Sequence, residues 1–339
     1  MIELWIEPSG EAPELARAEA VAASEALGGR ASTATRDGLI AIELPESGSI
    51  GALAARIALA RRCLVEVRGD PSAVRRLEEE GESRASAAIR RLGRSPGESD
   101  ESVRDAGRRY VAGGGTIDLE HPDRRYWLAR GPDGADALYR EVAAVDRADS
   151  AARRMPLLPF QRPVSLPPRL ARAAANLARN RPGDRVVDPF LGTGALLAEA
   201  ALLGARAYGI DRDPTMVRGA LRNFAHLGVE AARFAEGDAR EVDLDGVEGP
   251  FDALLTDPPY GRSSSTGGAT AEEVVARVVP RWADRVRPGG RVVVIAPEGA
   301  PSLPAPWVAR VAIAVRVHRS LTREFRAYER AGDVHENVR

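Results

Sequence analysis

The fold is decided by FDALLTDPPYGRS, residues 251–263. The first six residues are mostly apolar, which predicts a short strand covered on both faces, as in a parallel sheet. Two prolines end this strand because neither can donate a backbone hydrogen bond to a neighbouring strand. Asp257 therefore follows the carboxyl end of a strand, where open α/β sheets bind their ligands.

The residues after this strand can bind the exocyclic amine of a nucleobase. Such an amine is a poor nucleophile because its lone pair is delocalised into the ring, and hydrogen-bond acceptors draw that pair out of conjugation. The Asp257 carboxylate and the Pro258 carbonyl can each accept one N–H, while Tyr260 offers a face for stacking. The catalytic candidates are Asp257, Pro258, Pro259 and Tyr260. The alternative is a turn that only ends the strand, since Asp-Pro-Pro is common in turns.

A second motif, VVDPFLGTGALLAEAALLGARAYGIDRD at residues 186–213, predicts a strand, a glycine turn, a helix and the next strand. The first strand ends at Asp188, and the turn contains Gly192 and Gly194. The second strand ends at Asp211, which is placed to accept the two hydroxyls of a ribose. The glycines let the backbone approach a ligand closely.

The acids favour one cofactor over another. A dinucleotide site needs G-x-G-x-x-G, and Leu197 occupies the third glycine position. Asp188 would repel a pyrophosphate but suits a cationic ligand that carries an amino acid, so S-adenosylmethionine fits and NAD fits poorly. Asp238 follows a third predicted strand and can accept from an adenine amine. Each acid alone is typical of a solvated loop, but three in chain order before the 251–263 segment indicate one site.

Composition excludes several kinds of site. The chain has 339 residues, enough for two or more domains, and a net charge of -1. All 48 basic residues are arginine, which excludes a lysine Schiff base and a lysine general base. One cysteine, Cys63, excludes a disulfide within the chain. The histidines, which lack metal-ligand spacing, are His121, His226, His318 and His335. We therefore expect a cytoplasmic monomer with no bound metal and no membrane span.

The amino-terminal half predicts smaller α/β units. Expected strands are 1–8, 38–44 and 60–69, and expected helices are 12–27, 50–59 and 72–92. A helix and two strands joined near Pro122 follow at 101–130, and residues 136–145 are expected to pack back on them.

Aromatic and basic residues alternate in one of these strands. Arg124 and Arg125 precede Tyr126 and Trp127, which is typical of a surface that stacks on RNA bases and contacts phosphates. A strand whose aromatic side chains face the core is an equally good interpretation.

Positive charge is concentrated between residues 150 and 182, which contain seven arginines and no acid. We favour a belt that faces phosphates, with Arg153, Arg154 and Arg162 among its members. The alternative is a proline-rich linker with a solvated helix at 168–179. Residues 160–165 are also candidates to close over the cofactor.

The chain after residue 263 continues the sheet. SSSTGGAT predicts a loop that closes when substrate binds, and a helix at 271–286 leads to a buried strand in RPGGRVVVIAP. VARVAIAVRVH and TREFRAYER predict two final strands. Their connection, HRSLTR at 318–323, either lines the base pocket or is a plain hairpin loop.

The order of these motifs resembles the class I methyltransferases, and more narrowly the archaeal THUMP-containing tRNA (guanine-10-N2)-methyltransferases. The matching segments are PFQRPVSLPPRLARAAANLA, DPFLGTGALLAEA, GIDRD, GDA, DPPYG and RVHRSLTR, with RIALARRCLVEV and HPDRRYWLAR in the amino-terminal half. The resemblance implies a seven-stranded, mostly parallel, Rossmann-like sheet whose last strand is antiparallel. An α/β ferredoxin-like part and a THUMP domain that grips the tRNA acceptor stem are implied before it.

The resemblance also implies boundaries and roles. The domains would be 1–48 (ferredoxin-like part), 49–149 (THUMP RNA-binding domain), 150–182 (basic linker), 183–331 (methyltransferase domain) and 332–339 (tail). Cofactor contacts would come from Asp188, Pro189, Phe190, Gly192, Gly194, Asp211, Asp238, Ala239 and Asp257. RNA contacts are expected from Arg124, Arg125, Arg153, Arg154, Arg162, His318, Arg319 and Arg323. Leu191 stands where relatives often have cysteine, and we expect it not to touch the chemistry.

The implied reaction is methyl transfer from S-adenosylmethionine to the N2 amine of a guanosine, at tRNA position 10, giving N2-methyl- or N2,N2-dimethylguanosine. The target base is expected to flip out, because its amine lies in the minor groove of a base pair. Three alternatives remain: a guanine-N2 methyltransferase for another tRNA or rRNA position, a DNA or protein amine methyltransferase, and an RNA-binding protein without catalysis.

Overall fold

The structure is a computed structural model that describes residues 1–34, 36, 38–67, 85–93, 100–130, 135–154, 157–162, 165–242, 244, 247, 249–259, 271–298, 302–318 and 321–331. The chain divides into two compact units. The first comprises Met1–Glu11, Leu27–Ala55 and Ala60–Asp146, and the second comprises Ala12–Ala26, Arg56–Leu59 and Arg147–Arg339.

The strands, in chain order, are β1 (Ile2–Pro8), β2 (Arg30–Ala31), β3 (Ile40–Leu44), β4 (Ala60–Val67), β5 (Ser86–Arg91), β6 (Thr116–Ile117), β7 (Arg124–Arg130), β8 (Asp136–Ala144), β9 (Arg185–Asp188), β10 (Arg206–Asp211), β11 (Ala231–Glu236), β12 (Phe251–Thr256), β13 (Val286–Ala296), β14 (Trp307–His318) and β15 (Leu321–Arg330). The helices are α1 (Pro13–Ala26), α2 (Ser49–Arg56), α3 (Glu101–Ala112), α4 (Arg147–Ala152), α5 (Pro168–Leu177), α6 (Ala195–Leu202), α7 (Pro214–His226) and α8 (Ala271–Ala283).

The first unit is built on an eight-stranded sheet in the order β2-β3-β1-β4-β8-β7-β5-β6. Alternation along β7 directs Tyr126 and Trp127 to opposite faces of this sheet. Tyr126 packs with Ile89 and Tyr110, whereas Trp127 packs in a second cluster with Trp5. Both aromatic side chains of β7 are buried, so the core interpretation of this strand is correct and neither ring is available for stacking on RNA.

The helix predicted at 72–92 is wrong over its last part, because residues 86–91 form β5. Residues 68–84 lie outside the described part of the chain. Ala87 and Ile89 point to one face of the sheet and join the core there, and β5 pairs in parallel with β7. Pairing and burial therefore outweigh the helix propensity of an alanine-rich and arginine-rich segment.

The second unit contains the predicted seven-stranded, mostly parallel sheet, in the order β11-β10-β9-β12-β13-β15-β14. The strands from β11 to β13 are parallel, and β15 lies antiparallel between β13 and β14. Chain order reverses between β9 and β12, which is where open α/β sheets bind ligands. The class I methyltransferase architecture expected from the motifs is confirmed.

Burial explains the short parallel strands. Val187 and Leu254 are fully buried at the centre of this sheet, and Trp282 of α8 packs in the same core with Phe251. The sheet can lose water from both faces because helices cover it. Among the described residues, no helix has the length and apolar character needed to cross a bilayer.

Candidate active site

Four acids lie at the carboxyl edge of neighbouring strands in the second unit. Asp188 and Asp211 are the last residues of β9 and β10, Asp257 directly follows β12, and Asp238 is two residues beyond β11. Because these strands are adjacent and parallel, the four acids are placed along the same edge of the sheet. The sequence predicted this convergence from strand ends alone.

Asp188 is the most enclosed of the four, with 2% of its surface exposed. Its Oδ1 accepts hydrogen bonds from the Thr256 hydroxyl at 2.6 Å and from the Phe190 N–H at 2.9 Å. Burial raises the pKa of Asp188 to about 7, with the charges of Asp257 and Asp211 adding to the effect. A buried acid among other acids is a favourable place for a cationic ligand.

Asp211 is fixed by the glycine turn beside it. Its Oδ2 accepts from the Gly192 N–H at 2.8 Å and its Oδ1 from the Asp213 N–H at 2.9 Å. Burial raises the pKa of Asp211. Gly192 and Gly194 have φ angles of 54° and 79°, in the left-handed region that favours glycine.

Close packing also disfavours a larger residue at Gly194. A Cβ on Gly194 would lie 3.0 Å from the Cβ of Ala220 on α7. Leu191, where relatives often have cysteine, is buried, and its N–H donates to the Ile210 carbonyl at 2.8 Å. Leu191 therefore supports the turn from the core side.

Asp238 already has a partner within the chain. Arg240 donates to its carboxylate through Nε at 2.9 Å and through the backbone N–H at 2.9 Å, and these contacts lower the pKa of Asp238 to about 2. Ala239 is buried, and its carbonyl accepts from the indole N–H of Trp282 at 3.0 Å. An adenine amine would have to share the Asp238 carboxylate with Arg240, which the sequence did not predict.

Asp257 forms an ion pair with Arg323, the third residue of β15. One oxygen, Oδ2, accepts from the Arg323 guanidinium, while the buried Oδ1 has no partner within the described part of the chain. Burial raises the pKa of Asp257 to about 6, and the Arg323 charge partly opposes that rise. Pro258 is buried and Pro259 is half-buried beside this acid, whereas Tyr260 lies outside the described residues.

A segment before α5 is tied to the glycine turn. The Phe160 N–H donates to Asn223 Oδ1 at 3.0 Å, and Asn223 Nδ2 donates to the carbonyls of Phe160 and Thr193 at 2.9 and 3.1 Å. The hydroxyls of Ser165 and Thr193 lie 3.0 Å apart. The Phe160 ring packs on Gly219, where a Cβ would lie 2.1 Å from the ring. The segment predicted to close over the cofactor thus lies beside the turn, with Pro163 and Val164 outside the described residues.

The predicted RNA role of Arg153 is wrong. Arg153 is 7% exposed, and its Nε donates to Glu199 Oε1 at 2.8 Å. Arg172 donates to the other oxygen of Glu199 at 2.6 Å. The buried Glu199 carboxylate of α6 bonds to both guanidinium groups, so the Arg153 guanidinium is not accessible to a phosphate.

The same prediction is wrong for Arg323, which is 9% exposed and directed at Asp257. Arg154 and Arg125 are exposed and Arg124 is half-buried, while the Arg162 guanidinium lies 5.0 Å from the centre of the Phe160 ring. The His318 side chain and Arg319 lie outside the described residues. Where the structure describes the chain, no group of three or more His, Cys, Asp or Glu residues could hold a metal ion.

Residues 157–322 match the model of the RMKL-like methyltransferase domain. A relative from Methanothermococcus thermolithotrophicus, named as a probable tRNA (guanine(10)-N2)-dimethyltransferase, is 34% identical over 109 residues, 31% of this chain and 67% of that protein.

The chain belongs to the same methyltransferase family as this relative.

Other relatives of this methyltransferase carry related names. The tRNA (guanine(10)-N2)-dimethyltransferase of Methanothermobacter thermautotrophicus is 35% identical over 220 residues, 63% of each chain. That of Pyrococcus abyssi is 45% identical over 107 residues, 32% of each chain. The methyltransferase thus spans less than two thirds of the length of these two relatives. The crystal structure of TrmN from Thermus thermophilus covers 96% of this chain and 99% of its own, with a TM-score of 0.50 and 24% identity, which shows a shared fold.

Proposed function

We propose that this methyltransferase transfers a methyl group from S-adenosylmethionine to the exocyclic N2 amine of a guanosine in tRNA. The observation that carries the proposal is Asp257 Oδ1, a buried acceptor at the carboxyl edge of the sheet that has no partner among the described residues and lies next to a cluster of acids and a glycine turn. An amine that must lose a proton during the reaction needs an acceptor of this kind.

The residues present fit S-adenosylmethionine. Asp188 is buried and Asp211 is half-buried, and neither has a cation bonded to it within the described residues. Both have raised pKa values that a cationic ligand would lower. The turn at Gly192 and Gly194 brings backbone, without side chains, to the same edge. Each oxygen of Asp211 accepts one backbone hydrogen bond and keeps a lone pair for a ribose hydroxyl.

When bound, S-adenosylmethionine supplies a methyl group on a sulfonium: the new N–C bond forms as the S–C bond breaks, and its electron pair leaves with sulfur. Asp257 Oδ1 and the Pro258 carbonyl accept the two N–H bonds of the amine and orient its lone pair. The proton released from the methylated nitrogen goes to Asp257 or to water.

The substrate assignment is supported by the names of the relatives, which act on guanine N2 in tRNA. We propose position 10 as the target, with N2-methyl- or N2,N2-dimethylguanosine as product. The amine of a paired guanine lies in the minor groove, so the base is flipped toward Asp257 before transfer. A THUMP domain at 49–149 and the exposed Arg125 and Arg154 are proposed to hold the tRNA, through phosphate contacts.

The test is methylation of a tRNA transcript with labelled cofactor, followed by mass analysis of the nucleosides and mapping of the modified position. We expect N2-methylated guanosine in wild-type reactions. Asp257→Ala should lower kcat by a factor of about a hundred or more while leaving the dissociation constant of S-adenosylmethionine unchanged. Asp211→Ala is the matched variant and should weaken cofactor binding instead.

Three outcomes would contradict the proposal. The amine site would be wrong if Asp257→Ala retained near-normal turnover. A wild-type chain that methylates only DNA or rRNA would move the substrate to another class. A chain that binds tRNA but not S-adenosylmethionine would be an RNA-binding protein without catalysis.

A further inference from the structure

Arg323 reaches the proposed active site from the antiparallel strand of the sheet. Because β15 runs opposite to β13 and β14, its first residues lie at the same edge as the last residues of the parallel strands. The guanidinium there bonds to Asp257 Oδ2, and both side chains are largely buried, with 11% and 18% exposed.

Because of this contact, the two oxygens of the Asp257 carboxylate have different surroundings. Oδ2 is occupied by the cation, and Oδ1 is buried and has no partner in the part of the chain that the structure describes. A side chain held at one oxygen loses rotation about its Cβ–Cγ bond, so the direction of Oδ1 is fixed before any substrate binds. Preorganised acceptors of this kind avoid the cost of reorientation during the reaction.

We propose that Arg323 is a positioning residue for methyl transfer, which orients Asp257 and holds it as a carboxylate so that Oδ1 accepts an N–H of the target amine. This inference rests on the proposed function of the site. It also replaces the phosphate-binding role that the sequence predicted for Arg323.

The charges around Asp257 explain why a cation is needed there. Asp188, at the end of the neighbouring strand β9, interacts unfavourably with Asp257. Burial disfavours the charged form of Asp257, and its pKa is raised to about 6 even with Arg323 in contact. Without the guanidinium the pKa of Asp257 rises further, since its main stabilising charge is lost. A protonated Asp257 donates a hydrogen bond where the reaction needs an acceptor.

The experiment compares Arg323→Gln, Arg323→Lys and Arg326→Gln. Arg326 lies on the same strand, faces the opposite side, is 8% exposed and bonds to Glu324 at 2.7 Å, so it is a matched control. For each variant we would measure kcat from pH 5.5 to 9, the S-adenosylmethionine dissociation constant, and the titration of Asp257 by NMR of ¹³C-labelled aspartate carboxyls. Asp257→Asn identifies the relevant resonance.

In Arg323→Gln we expect the acidic limb of the kcat profile to move to higher pH by about one unit or more, so that kcat near pH 6 falls about tenfold and recovers toward pH 9. The cofactor dissociation constant should stay unchanged. Arg323→Lys keeps the charge, so its limb should stay in place, with kcat lowered a few-fold because a single ammonium orients a carboxylate less well than a planar guanidinium. Arg326→Gln should behave as the wild type.

An acidic limb that stays in place in Arg323→Gln would overturn the inference, as would an Asp257 titration that is the same in that variant and the wild type. If Arg323→Gln fails to fold, a displaced limb in Arg323→Lys overturns it. A wild-type chain without methyl transfer contradicts the proposed function instead. The carboxyl titration still tests the effect of Arg323 on Asp257 in that case, because it needs no substrate.

Discussion

At the scale of single residues, the acids at the sheet edge differ because their surroundings differ. Arg240 lowers the pKa of Asp238, whereas burial raises the pKa values of Asp188 and Asp257. The same side chain is therefore permanently charged at one strand end and titrates near neutral pH at two others. This difference leads to a prediction about cofactor binding.

Affinity for S-adenosylmethionine should increase from pH 6 to pH 8. Asp188 is neutral below its pKa of about 7 and gains its charge above it, and a sulfonium favours the charged form. Binding at pH 6.5 should therefore release a fraction of a proton, and the affinity at pH 6 should be up to about tenfold lower than at pH 8. Calorimetry in buffers of different ionisation enthalpy measures both quantities.

The control for this prediction is Asp188→Asn, which should bind weakly with a flatter pH dependence. Thr256, the Phe190 N–H, Asp211 and Asp257 surround the same group, so Asp257→Asn should be measured in parallel. A wild-type affinity that is constant from pH 6 to 8, with no proton release, would contradict the assignment of Asp188 to the cofactor cation.

At the scale of elements, Glu199 joins the segment after α4 to α5 and α6. Its carboxylate is 3% exposed and pairs with Arg153 and Arg172, both buried. Glu199→Gln should lower the free energy of unfolding by about 3 kcal/mol, because it leaves two buried guanidinium groups without a counter-charge. Urea denaturation followed by fluorescence measures the change.

The matched control is Arg287→Gln, which breaks an ion pair with Asp252 in which Arg287 is about half exposed. Its effect should be below about 1 kcal/mol, since solvent screens such pairs. Equal effects from the two substitutions would mean that the Glu199 cluster does not stabilise the packing of these elements.

The sequence predicted elements whose signals are local. Strand β12 was expected at its observed bounds, since its apolar run stops at two prolines. The acids at strand ends were predictable because parallel strands place their carboxyl ends together. The partners of Arg153 and Arg323 lie 46 and 66 residues away in sequence, and charge counting along the chain cannot reveal a pairing made by the tertiary fold. Strand β5 was missed for the same reason, because its pairing with β7 decides its conformation.

At the scale of the whole molecule, net charge is close to zero, so the proposed tRNA binding would depend on local groups of exposed arginines. Arg125→Gln and Arg154→Gln should each weaken tRNA binding and each lower the slope of log Kd against log salt by a little under one unit. In the double variant the two decreases in slope should add. Filter binding at salt concentrations from about 50 to about 300 mM, where such plots are linear, measures these slopes.

Arg30→Gln is the control, because Arg30 is exposed, pairs with Glu43 and lies outside the predicted RNA surface. Its salt slope should equal that of the wild type. Unchanged slopes in Arg125→Gln and Arg154→Gln would remove both residues from the RNA surface.

The position of β15 between β13 and β14 has a consequence for synthesis of the chain on the ribosome. Strand β14 leaves the exit tunnel before β15, yet it can join the sheet only after β15 has been inserted. Until then the edge of β13 is unpaired, and the guanidinium that pairs with Asp257 is still missing. The reaction centre of the nascent polypeptide therefore stays incomplete until β15 has left the tunnel, which delays activity until the sheet is closed.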